Sequence, residues 1–187
     1  MDIPELLAKA FDKANRQPNE GITRKEINRN RSKNFVEYLA SELRTHYQGN
    51  PNTYVLSKHY AKNRKKFGLN ELLFDILVCK GQETVSTNKS TALTYISKGI
   101  LAIESEMARD SREALYDFNK LILSSCDSKL FIGPLVPNVE SFLKPLATAA
   151  KYCDGEIHLA LIPHPNEWAQ ATRNMIVYKR WNGSAWT

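Results

Sequence analysis

Cysteine is scarce in this 187-residue chain. The three present, Cys79, Cys126 and Cys153, lie far apart with no C-x-x-C pair, so neither a disulfide framework nor a zinc-finger spacing is indicated and they read as reduced core thiols. The four histidines, His46, His59, His158 and His164, fall at no metal-ligand spacing, and His158 in EIHLALI reads as a hydrogen-bonded strand residue. No glycine-rich phosphate loop and no G-x-S-x-G elbow is present. No run approaches the ~18 apolar residues of a membrane span, and the opening MDIPELLAKAF lacks the basic start and apolar stretch of a signal peptide. The expectation is a cytoplasmic protein without membrane contact. Repeats, low-complexity tracts and Gly/Ser linkers are also missing, so one domain over residues 1–187 is expected.

What is there is ordinary for a globular domain: 42% hydrophobic and 25% charged residues, with Lys and Arg exceeding Asp and Glu by 26 to 20 and a formal charge of +6. That excess favours an acidic partner such as nucleic acid. After a short amphipathic opening helix and the break RQPNEG, the segment NFVEYLASELRTHYQG repeats Phe35, Val36, Leu39, Ala40, Leu43 and Tyr47 at helical spacing and ends at Gly49. NTYVLSKH and ELLFDILVCK are strand-like and form a predicted hairpin, with YAKNRKKFG as the loop between them. The stretch KGQETVSTNKST leads to a third strand, LTYISKGILAIESE, where Gly99 marks a bulge or close approach. DSREALYDFNKLILSS turns helical, capped by Asp110 or Ser111, with Leu115, Phe118, Leu121 and Ile122 as its stripe. KLFIGPLV is a strand, NVESFLKPLATAAKYC a helix interrupted near Pro145, and EIHLALIP and MIVYKRW two further strands. Several strands are apolar at both alternating positions, so the fold class is a mixed α/β three-layer sandwich with helices on both faces of the sheet.

Two apolar runs carry acids where a sheet wants valine and leucine: Asp75 within ELLFDILVCK, and Glu104 and Glu106 in GILAIESEMARDS. A buried, unpaired carboxylate must shift its pKa or find a partner. Glu104 and Glu106, two residues apart, emerge on one face of their strand, and a neighbouring Asp75 brings a third carboxylate to the same end. Carboxylate oxygens are the ligands that Mg²⁺ selects.

Helix, three antiparallel strands, helix and strand, with acids on the second and third strands, resembles the PD-(D/E)xK nuclease superfamily. The stretches that carry the likeness are FVEYLASEL, LLFDILV and LAIESEMARDS, followed by YDFNKLI. They span about residues 30–133, leaving 134–187 as elaboration. The Glu-Ser-Glu motif is similar to that of the BamHI-type restriction endonucleases, which place glutamate where most relatives have lysine. The resemblance implies a restriction endonuclease-like αβββαβ core with Asp75 and Glu104 as ligands of one or two Mg²⁺ ions. It makes Glu106 the residue that orients or deprotonates water, and Glu37 the further metal-supporting acid, placed on the helix, with Glu42 as a weaker substitute. The missing lysine and the absence of proline before Asp75 depart from the family pattern. Lys120, on the next helix, is the alternative cation.

Basic residues gather in TRKEINRNRSK, ending at Lys33, and around Lys58, Lys62, Arg64, Lys65 and Lys66, clusters suited to neutralising phosphates. Arg109 and Arg112 lie just past Glu106, placed for a phosphate or base edge or for pairing with Asp110 and Glu113. The expectation is a Mg²⁺-dependent endonuclease acting on double-stranded DNA, of the type II restriction kind. Two-fold symmetry suits a palindromic site, so a homodimer is expected. The alternatives are a catalytically silent nucleic-acid-binding module or partner subunit, and a nonspecific repair or mobile-element nuclease.

Overall fold

The structure, a computed structural model, describes all residues except Asn19, Glu20, Ile22, Asn88, Lys89 and Ser90. Parts of RQPNEG and of KGQETVSTNKST therefore lie outside the described residues. Helix α1 (Ile3–Asn15) is capped by Asp2, which accepts from the Glu5 N–H, and buries Leu7, Ala10 and Phe11. Helix α2 (Arg24–His46) opens with a reciprocal capping box between Thr23 and Glu26. Its core stripe is Phe35, Leu39, Ala40 and Leu43, the larger side chains each stabilising by about 1.5–3 kcal/mol. Val36 and Tyr47 from the same predicted stripe are only half-buried.

The remaining elements are β1 (Thr53–Ser57), α3 (Lys62–Phe67), β2 (Ile76–Val85), β3 (Ala92–Ser105), α4 (Ser111–Ile122), β4 (Ser128–Pro134), α5 (Val139–Ala150), β5 (Glu156–Ile162) and β6 (Val177–Arg180). Short 3-10 turns at Pro165–Gln170 and Arg173–Met175 join β5 to β6. The six strands form one sheet in the order β1-β2-β3-β4-β5-β6. β1, β2 and β3 are an antiparallel meander, β4 and β5 run parallel to β3, and β6 is antiparallel to β5. Ile76, Val78, Leu101, Ile103, Leu130 and Ile132 bury one sheet face with α1 and α2. Leu77, Cys79, Ala102, Phe131 and Leu159 bury the other with α4 and α5. The result is a three-layer α/β sandwich.

Four sequence expectations need correction. The stretch 60–68 is not a plain loop, because it contains α3, which ends at Gly68 in the left-handed region, φ 75°. Asp75 is not in the middle of a strand: Leu73 has φ 62° and Leu72 bridges Phe74, so the chain kinks and β2 starts only at Ile76. Pro145 does not interrupt α5, which runs through it. On α4 the fully buried residues are Ala114, Phe118 and Leu121, with Leu115 and Ile122 packed at the margin.

Gly99 carries both features expected of it. Cys79 pairs with Gly99 while Val78 pairs with Leu101, which leaves Ile100 as an extra residue. A Cβ on Gly99 would come within 2.4 Å of the Cys126 Sγ. The three cysteines are free thiols, and burial, reinforced by Cys126, pushes the Cys79 thiol up to about 12.

Candidate active site

Ladder register decides the centre of the site. Ile76 pairs with Ile103 and Leu77 with Ala102, so one step further Asp75 stands opposite Glu104. Leu77 and Ala102 face α4 and α5, and by strand alternation Asp75 and Glu104 face the same way. The Asp75 Oδ2 accepts the Ser105 N–H at 3.0 Å, closing the strand mouth that the kink at Leu73 opened. Glu104 is 2% exposed, and its Oε2 accepts from the Lys120 Nζ at 3.1 Å. Its Oε1 is buried and, among the described residues, has no hydrogen-bond partner. Asp117, one turn back on α4, holds the same ammonium at 2.7 Å. Helical spacing of three residues brings Asp117 and Lys120 to one side of α4.

Burial sets the protonation of this group. It pushes the Asp75 carboxyl up to about 6, against the Ser105 N–H and the Lys120 ammonium. Burial, and then the facing Asp75, push Glu104 up to about 8 despite Lys120. For Lys120 burial opposes the charge, but hydrogen bonds to Asp117 and Glu104 carry it above the ordinary lysine range. Two acids with raised pKa values thus face one another beside the Lys120 ammonium.

Compared with models of known families, with curated proteins and with solved structures, the chain gives no match.

Glu106 does not join the pair. β3 ends at Ser105, and the Glu106 Oε1 accepts the Ala108 N–H at 2.6 Å, turning the carboxylate toward the start of α4. Burial raises its pKa, with Asp117 and Glu113 adding to the effect. Among the described residues, no three His, Cys, Asp or Glu side chains group as a metal cage. Glu37 reaches the site from the α2 side. Its carboxylate accepts from the Ser57 hydroxyl at 3.1 Å and the His59 N–H at 3.2 Å, which fastens the end of β1 to α2. Glu42 pairs instead with Lys13 of α1, away from the site.

A cleft of about 290 Å³ opens beside Asp75 and Ser105, with Glu37 and Glu71 also lining it. Its walls carry Arg29 and Lys33 of α2 and Lys58 after β1. Glu71 and Asp117 escaped the sequence reading as site residues, while Arg29 and Lys33 were read only as part of the basic stretch TRKEINRNRSK. The local signal that singles them out within that stretch is the helical spacing of Arg29, Lys33 and Glu37, which puts them on one face of α2.

The other predicted basic residues are dispersed. Lys62, Arg64 and Lys65 lie exposed on α3, while Lys66 pairs with Glu83 at 3.3 Å and sits over the Tyr54 ring. Arg112 is held by Asp110 and Glu113, and Arg109 pairs with Glu167.

Proposed function

We propose that the chain is a divalent-cation-dependent nuclease of the restriction endonuclease-like type, hydrolysing DNA phosphodiester bonds at the strand mouth shared by Asp75 and Glu104. One observation carries this reading: the buried Glu104 at the end of β3 faces the half-buried Asp75 at the entrance to β2, with Lys120 on the first and an open cleft at the second. Structural ion pairs gain nothing from a second buried carboxylate, whose charge raises the cost of the first. Support also comes from the order of parts. Helix α2, the β1–β3 meander, α4 and the parallel strand β4 follow the αβββαβ arrangement of the PD-(D/E)xK nucleases.

The donor set suits Mg²⁺. Both acids offer hard oxygen ligands, and among the described residues the Glu104 Oε1 has no hydrogen-bond partner. Asp75 and Glu104 would hold one ion, with water and substrate phosphate completing its shell, as Mg²⁺ commonly requires. When bound, such an ion supplies Lewis-acid stabilisation of the phosphoryl oxygens and an acidified water.

The chain's own residues do the rest. Lys120, kept charged by Asp117 and Glu104, is the cation hydrogen-bonded to Glu104, and we assign it the water-orienting role that the sequence suggested for Glu106. Glu37 keeps the end of β1 docked on α2 and so fixes one wall of the cleft. Glu106 shapes the turn into α4. Cleavage of both strands of double-stranded DNA by a homodimer, as in a type II restriction enzyme, is the finer form of this proposal.

The test is incubation of plasmid and phage DNA with the protein in Mg²⁺ or in EDTA. Cleavage in Mg²⁺ alone, lost in Asp75→Asn, is expected; discrete bands mean a site-specific enzyme and a smear a nonspecific one. Absence of cutting over a range of divalent ions and nucleic acids, with binding retained, would favour a silent binding module instead.

A further inference from the structure

Sequence alone offers two basic stretches, and they are not equivalent in the fold. Along α2 the cations divide between two faces. Arg24 and Asn28 hydrogen-bond to Asn166, and Arg31 reaches the Pro165 carbonyl and lies over the Trp168 ring, so this face is covered by the segment between β5 and β6. Arg29 and Lys33 point the other way, into the cleft at Asp75. Both are exposed and, among the described residues, neither has an ion-pair partner; the same holds for Lys58 on the opposite wall. Acids occupy the same cleft, namely Glu37, Glu71 and Asp75, yet the three cations are not spent on them. On α3, Lys66 is already paired and the helix does not line this cleft.

Resting on the nuclease reading above, we infer that the substrate strand runs along α2, its backbone phosphates held by Arg29 and Lys33 from one wall and Lys58 from the other, and not along α3. Four residues of helix advance by ~6 Å, which sets the two α2 cations one above the other with a reach to successive phosphates. A cation left unpaired beside a carboxylate centre is the arrangement a polyanion needs: the phosphate supplies the counter-charge, and the acids stay available to a divalent ion. Arg29, with its planar fork, suits a bidentate phosphate contact, while Lys33 and Lys58 act as point charges.

Binding of a labelled DNA duplex is measured in EDTA across a range of KCl concentrations, using full-length protein. Arg29→Gln/Lys33→Gln should lower the slope of log K against log salt by about 1.8, at ~0.9 per phosphate contact, and weaken binding roughly tenfold or more at low salt. Lys58→Gln should remove about 0.9 more. The control Lys144→Gln/Lys151→Gln removes the same charge from α5 and its C-cap, outside the cleft, and should leave the slope unchanged. If the α2 pair keeps the parental slope while the parent binds and cuts DNA, or if Lys62→Gln/Lys65→Gln causes the loss instead, the α2 track is wrong and the nuclease reading stands. A parent that neither binds nor cuts nucleic acid overturns both.

Discussion

Glu104→Gln separates a carboxylate placed for a cation from one placed for packing. Glu104 is 2% exposed and holds its proton up to about pH 8, whereas in the unfolded chain it ionises near 4.5. A raised folded-state pKa means that the native state binds the proton more tightly, so stability is greatest below pH 4.5 and is lost as pH rises towards 8. Each pH unit in that window costs up to about 1.4 kcal/mol, or about 3 kcal/mol by pH 7. Glutamine keeps the shape and cannot ionise. It leaves one polar atom of the amide unpaired and removes a partner from Lys120, which offsets part of the gain. The net expectation at pH 7 in EDTA is a stabilisation of ~1–2 kcal/mol, or roughly 2–8 °C in melting temperature for a chain of this size. Thermal denaturation from pH 5 to 9 checks it. The parent should lose stability with rising pH and regain it on addition of Mg²⁺; Glu104→Gln should show a flatter profile, little response to Mg²⁺ and no cleavage. Asp75, raised to about 6, titrates with Glu104 as a pair, so some slope below pH 6 remains in the variant. An unchanged pH profile and an unchanged Mg²⁺ response in Glu104→Gln would refute the assignment.

Lys120→Met should lower the single-turnover rate by roughly 10² while duplex affinity changes little, because the ammonium sits at the acids and not on the cleft wall. Glu106→Gln should slow cleavage far less than Lys120→Met, measured under the same single-turnover conditions, since its carboxylate is engaged by the Ala108 N–H. Gly99→Ala should destabilise the fold by about 1–3 kcal/mol in urea titration, as its Cβ would lie 2.4 Å from the Cys126 Sγ; Cys126→Ala in the same chain should recover part of that loss. Burial and Arg180 lower the His158 pKa, so below pH 6.5 this residue works against the gain from Asp75 and Glu104, and His158→Gln should steepen the rise in stability as pH falls, measured by thermal denaturation.

The amino-acid sequence by itself determined the local and periodic features. The α2 stripe through Phe35, Leu39 and Leu43, the Asp110 cap, the both-face apolar strands β4 and β5 and the bulge at Gly99 follow from spacing and residue chemistry, which act within a few residues. So did the presence of acids at the ends of apolar runs. Tertiary structure alone decided which acids meet. Pairing of Ile76 with Ile103 sets Asp75 against Glu104, while Glu106, past the end of β3 at Ser105, is held by the Ala108 N–H. Lys120 reaches Glu104 only because α4 packs back across the sheet, and Arg29 and Arg31, two residues apart on one basic helix, part company because the segment after β5 covers one side of α2 and leaves the other open. These are contacts between residues far apart along the chain, fixed by ladder register and helix docking, for which no local pattern carries a signal.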